Sequence, residues 1–295
     1  MSVWKKYPFK GANAVLFDLG TQSDANRQRL RATSDLDLVR QRLGVRISRY
    51  DLRNFPALPS SMKPKANRLS QKWQDEARST SGLSDEALSD AASSFLILYD
   101  IMQKENAVAM AIDCQPMPGI SLPFPCLAMF ELCRNGIITA CEADINAMLS
   151  MMLLTHLAGR PSFMGNIFTE GSDAIAIDHC VTPVGMLDDL AEYELTDRHG
   201  DSTCATAAVD LPRTGPATVA RISADLEHLH CAVGEFVDSH HHGNCRNTVI
   251  VRLPDQQAFA EAMLGRHYSV VCGDIGDELA AWARESKIAL VQNSQ

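Results

Sequence analysis

Hydrophobic positions along the chain fall into two regimes. Through the first half, short apolar runs alternate with stretches whose apolar residues recur every three or four positions, as when strands exchange with helices. Residues 14–19 (AVLFDL) make the first run, and a polar helical stretch over about 24–43 ends at Gly44. Residues 45–52 alternate as a second strand. The Pro- and Ser-rich segment 54–65 reads as a loop, followed by a polar helix over 66–78. Ser84 caps a longer helix that carries Leu88, Ala91, Phe95, Leu98 and Met102 on one face. Residues 107–112 (AVAMAI) suit a central parallel strand. Pro125 opens a helix at its favoured first position, and Gly136 closes it.

The longest periodic apolar stretch runs over 137–166 (IITACEADINAMLSMMLLTHLAGRPSFMGN). Residues 137–141 form a short buried strand. Asp144 then occupies an N-cap position, because its carboxylate can accept the free amide hydrogens of a first helical turn. Ile145, Met148, Leu149, Met152, Leu153 and Leu157 follow at helical spacing, widened by Met151 and Leu154, so the helix is covered on most sides. Gly159 and Pro161 stop it. Glu142 therefore lies at the carboxyl end of a strand, the edge at which open α/β sheets bind ligands.

Beyond Asn166 the pattern changes. Residues 174–180 (AIAIDHC), 217–223 (ATVARIS) and 247–253 (NTVIVRL) read as strands without long intervening helices, as in antiparallel or barrel-like structure. Helical patterns return at 256–264 and 276–285, around GRHYSVVCGD at 265–274. The expected fold is thus α/β: a parallel-sheet, Rossmann-like domain over 1–168, then a β-rich, barrel-like α+β domain over 169–295.

Composition narrows the partners. A net charge of −9 disfavours nucleic acid, whose phosphates need a positive surface. Residues 1–13 hold no apolar core of signal-peptide length, and residues 148–157 are too short to span a bilayer. The nine cysteines are odd in number and have no CxxC pairing, which indicates reduced, buried residues of a cytoplasmic protein.

Taken alone, Glu142 is an ordinary strand-end acid, of which most cap or pair. The string around it is more specific. ACEADINAMLSMMLLTHLAGRPSFM, an apolar strand ending at His179 and Cys180, and GRHYSVVCGD together resemble the L-fucose/L-arabinose isomerase family, most closely its L-fucose isomerase-like branch. The resemblance runs from about Ala12 to the C-terminus. It implies a metal-dependent aldose–ketose isomerase acting on a monosaccharide through an ene-diolate, with Mn²⁺ or another divalent cation and no organic cofactor. It also implies a trimer or hexamer with sites between subunits. On this resemblance Glu142 binds metal and shuttles a proton, His267 is a metal ligand, and His179 matches a further ligand of the arabinose branch. Such a set suits the chemistry, since a cation polarises the sugar oxygens and a carboxylate moves the proton.

Two departures stand out. Asn166 occupies the position of an aspartate that is both ligand and acid/base partner in the fucose-type pattern. An amide oxygen can coordinate but brings no charge and exchanges no proton. Glu170 is the nearest acid downstream. The family's first domain is not represented, so a separate chain supplying it, or an impaired homologue that binds sugar or assembles with an intact relative, is the alternative expectation. Among substrate-side candidates, Arg198 and His199 lie in ELTDRHGDST, which resembles a family loop, and Gln115 ends a strand before a Pro/Gly loop. For both, a solvated turn is an equal reading. His228, His230, Cys231, residues 240–242 and Cys245 meet no zinc spacing, and an exposed loop and strand edge is the favoured reading. Cys141 and Cys180 sit in apolar runs, with inert packing as the default.

Overall fold

The computed structural model describes residues 9–20, 34–114, 124–183, 185–186, 192–241 and 245–292. The first half alternates strands and helices: β1 (Asn13–Asp18), α1 (Leu36–Leu43), β2 (Arg46–Asp51), α2 (Lys63–Glu76), β3 (Ser79–Thr80), α3 (Asp85–Lys104), β4 (Ala109–Ile112), α4 (Cys126–Arg134), β5 (Ile138–Ala140) and α5 (Ile145–Ala158). Strands β2-β1-β4-β5 form a four-stranded, wholly parallel sheet. The expected stops and caps operate. Gly44 ends α1 in the left-handed region at φ 77°, which it adopts without a Cβ penalty. Ser84 accepts the Ala87 amide at the start of α3. Helix α2 starts at Lys63 rather than residue 66, because Pro64 falls in the first turn, where its missing N–H has no partner to lose.

The second half adds β6 (Phe163–Glu170), β7 (Ala174–His179), β8 (Tyr193–Arg198), β9 (Asp201–Val209), β10 (Pro216–Ile222), β11 (His228–His240), β12 (Asn247–Arg252), α6 (Gln256–Glu261), β13 (His267–Cys272), α7 (Gly276–Ser286) and β14 (Ala289–Gln292). Six of these, in the order β10-β13-β6-β7-β12-β11, close through β10–β11 into an antiparallel barrel, and β14 lies parallel along β11. Strands β8 and β9 form a separate small sheet with β3. The periodicity did not announce β6, β8 and β9. Phe163–Glu170 has no strict alternation, and β8 and β9 are rich in polar residues.

Alternation along the barrel strands sorts two cores. Phe163, Ile167, Ile177, Val219, Val251 and Tyr268 fill the barrel interior. Met164, Ala220, Ile222 and Val271 face outward and join the core of the α/β half. Helix α5 lies between the two layers, with every residue from Ile145 to Thr155 buried. This accounts for its being apolar all round, where a surface helix carries a single stripe. No described helix is long and apolar enough to cross a membrane. All nine cysteines are free thiols, eight of them buried.

The histidines of β11 do not gather into a zinc site among the described residues. His230 is buried in the barrel, where its Nδ1 lies 2.6 Å from the Tyr268 hydroxyl and its ring packs on Phe259. His228 lies beside Asp225 at the surface. Burial pushes the His230 pKa down to about 4. Between that value and its unfolded-state value near 6.5, the unfolded chain binds more protons than the folded one, so stability rises with pH. This contribution is complete above about pH 6.5 and is lost as the pH falls towards 4, about 3 kcal/mol in all. Urea unfolding at a series of pH values should therefore show a steeper acid loss in the wild type than in His230→Phe. Parallel curves for the two proteins would contradict it.

Candidate active site

Three residues, Cys141 to Ala143, carry the chain from β5 into α5. Glu142 and Ala143 both adopt left-handed backbone angles, φ 54° and 50°. Non-glycine residues in that region cost about 1–3 kcal/mol each, and such strain persists only where neighbouring structure over-determines it. Here the Ala143 amide is tied to the Ile112 carbonyl at the end of β4, and Asp144 bonds back to Cys141. The turn brings the Glu142 carboxylate out at the sheet's carboxyl edge while Cys141 and Ala143 stay buried.

Asp144 caps α5 as expected, accepting the Ala147 amide at 2.8 Å. Its carboxylate also does something the sequence did not suggest. Oδ2 accepts from His267 Nδ1 at 2.9 Å and pairs with Arg221 Nη1 at 3.1 Å, all three side chains being fully buried. The same Arg221 nitrogen donates to the His267 carbonyl at 2.6 Å. Burial works against the Asp144 charge, but Arg221 and then His267 outweigh it and hold its pKa at about 2. An ionised carboxylate only accepts, so His267 Nδ1 carries the proton and Nε2 presents a lone pair. That Nε2 lies 3.8 Å from Glu142 Oε2.

His179, the last residue of β7, stands edge-on to His267 with ring centres 5.7 Å apart. Its Nδ1 accepts the Cys180 amide at 3.0 Å. Burial, then the proximity of His267, drives its pKa down to about 3, so the ring is neutral with its proton on Nε2. Neither His179 Nε2 nor His267 Nε2 has a hydrogen-bond partner, although both are buried. Ligand atoms of Glu142, His179 and His267 all lie within 4.8 Å of one another. Of the two orphaned nitrogens, His267 Nε2 with the Glu142 carboxylate fits a divalent cation of oxygen and nitrogen preference, while His179 Nε2 turns its proton towards the same point.

The remaining sequence candidates surround this triad. Asn166 sits directly opposite His267 in the β6–β13 register and opposite Asp178 in β6–β7, on the outer face of the barrel. Its amide oxygen accepts from Arg266 Nε at 2.7 Å. Arg198 stacks its guanidinium 3.9 Å above the Phe124 ring. His199 lies at the β8–β9 turn, with Nε2 2.9 Å from Cys180 Sγ. Gln115 lies outside the described residues. A cavity of about 370 Å³ is lined by Glu142, Asn166, His179, Arg198, His199 and Arg266 together with Asp178, Phe168 and five cysteines. A larger cleft of about 670 Å³ between Pro216 and Gln292 is acidic, with no histidine or cysteine in its lining, and holds none of this donor set.

Arg221 was legible only as the single charged residue in the strand-like run 217–223 (ATVARIS). That anomaly is the one signal that could have singled it out.

No known protein-family profile matches the chain. It is a distant homologue of bacterial proteins named sulfoquinovose isomerase. That of Alkalicoccus urumqiensis is 25% identical over 205 residues, covering 66% of this chain and 46% of the relative. That of Clostridium sp. (strain MSTE9) is 27% identical over 198 residues, covering 63% and 44%. That of Priestia aryabhattai is 26% identical over 152 residues, covering 48% and 33%. The chain thus spans less than half the length of the curated relatives it matches.

Proposed function

We propose that this chain is a divalent-cation-dependent aldose–ketose isomerase of the L-fucose isomerase-like kind, with Mn²⁺ as the cation. The observation that carries the reading is the convergence of Glu142, His179 and His267 at the carboxyl edge of a parallel sheet. Distant likeness to proteins named as sugar isomerases supports it. Glu142 and His267 Nε2 would hold the cation, and Asp144, clamped by Arg221, keeps His267 in the required tautomer. The cation would supply polarisation of the sugar's carbonyl and hydroxyl oxygens. Glu142 would take the proton from the carbon beside the carbonyl and return it to the former carbonyl carbon through an ene-diolate, while the hydroxyl proton on the first carbon's oxygen passes to the oxygen of the second, leaving a carbonyl at one and a hydroxyl at the other. His179 offers its Nε2–H to a substrate oxygen. Arg198 and Arg266 place positive charge in the cavity, which favours a sugar bearing an anionic substituent such as the sulfonate in the relatives' name.

A second reading, a catalytically impaired homologue that binds sugar or assembles with an intact relative, rests on Asn166. It is uncharged, and its amide oxygen is engaged by Arg266. An assay of neutral and anionic aldoses with Mn²⁺, on the wild type and on Asn166→Asp, separates the two. The active reading expects wild-type turnover above background, with Asn166→Asp binding Mn²⁺ about tenfold or more tightly through its added charge. Turnover by Asn166→Asp alone would favour the impaired homologue.

A further inference from the structure

A second donor cluster lies beside the first and is chemically different from it. Cys180 follows β7, His199 sits at the tip of the β8–β9 turn, and Cys245 precedes β12, so three separate segments converge. Their ligand atoms all lie within 4.8 Å of one another. His199 Nε2 is 2.9 Å from Cys180 Sγ and 3.4 Å from Cys245 Sγ. Zinc bonds of about 2.1 Å to nitrogen and 2.3 Å to sulfur need tetrahedral donor separations of about 3.5–3.8 Å, so small side-chain adjustments suffice.

We propose that Cys180, His199 and Cys245 form a Zn²⁺ site of Cys₂His type. Two thiolates and an imidazole select a softer cation than the carboxylate and imidazole donors of the neighbouring triad. Asp178 of β7 lines the cavity beside these three donors. The turn is built to present its histidine. His199 holds a left-handed φ of 56°. Arg246, next to Cys245, donates to the Asp197 carbonyl at 2.9 Å and pairs with the Asp197 carboxylate. That carboxylate in turn accepts the Gly200 amide, so one arginine clamps the His199 turn against the Cys245 segment. Metal there ties the β8–β9 hairpin to barrel strands β7 and β12 and fixes one wall of the cavity.

The site stands independently of the proposed isomerase chemistry and is tested without it. Co²⁺ added to the reduced full-length chain is the probe. The expected result is a thiolate-to-cobalt charge-transfer absorption in the near ultraviolet, bleached by Zn²⁺. It should be lost in Cys180→Ser and in Cys245→Ser, and retained in Glu142→Gln. His199→Ala, a change at an exposed turn, should shift the band and weaken Co²⁺ binding without unfolding the chain. Absence of the band in the wild type overturns the proposal, as does its survival in both serine variants. A Cys180–Cys245 disulfide that persists under the reducing conditions of the experiment also overturns it.

Discussion

Glu142→Gln is expected to lower kcat/KM for sugar isomerisation by about 10²–10⁴-fold while leaving the fold intact. The substitution keeps the shape of the side chain and the left-handed turn, so stability should change by no more than about 0.5 kcal/mol. What it removes is the single negative charge among the triad's donors and the one group there that can carry a proton between adjacent carbons. The two losses separate experimentally. Mn²⁺ affinity measured by calorimetry reports the ligand, and exchange of solvent deuterium into the substrate reports the proton transfer. A variant that keeps turnover within tenfold of the wild type would remove Glu142 from the chemistry and with it the proposed mechanism.

Arg221→Met is expected to destabilise the chain by about 3–5 kcal/mol, the cost of leaving a buried charge without its partner. Arg221, Asp144 and His267 are fully buried where α5 meets strands β10 and β13. The seat is shaped for a guanidinium. A Cβ at Gly265 would lie 2.5 Å from Arg221 Nε, so the glycine is what lets the planar group pass. Lysine cannot reach both the Asp144 carboxylate and the His267 carbonyl from there, so Arg221→Lys should recover little of the loss. Adding Asp144→Asn to Arg221→Met should restore part of it, because the orphaned charge is gone. Urea unfolding of the two single variants and the double variant measures the coupling. A cost below about 1 kcal/mol for Arg221→Met would mean that Asp144 is not held ionised by this pair.

Loss of Arg221 should also reach the site through His267. With Asp144 no longer anchored, the imidazole loses its fixed tautomer, and Mn²⁺ affinity should fall about 10–100-fold in protein that remains folded.

Much of this architecture was legible from local signals. Strand runs, the caps at Ser84 and Asp144, and the stops at Gly44 and Gly159 are short-range effects of backbone hydrogen bonding and φ preference, which a linear sequence carries in full. The all-round apolar character of α5 announced that it would be enclosed, though not by what. Glu142 at a strand end followed from the same local logic. Strands β6, β8 and β9 were not legible: β6 lacks alternation and pairs with β13 about a hundred residues on, and β8 and β9 form a hairpin too rich in polar residues for an apolar pattern to mark.

The site's chemistry divides along the same line. The sequence by itself determined the strand–helix alternation of the first half, the caps and stops of its helices and the carboxylate at the sheet edge, since each depends on neighbours within a few positions. Only the tertiary structure decided that Asp144 is both a cap and the anchor of His267, 123 positions away. It alone placed Arg221 against both, and brought Cys180 and Cys245 to one histidine. These are charges and thiols matched across segments that meet only when the barrel closes on α5. No local pattern encodes such a meeting, because the free energy of each buried charge depends on a partner that sequence distance does not reveal.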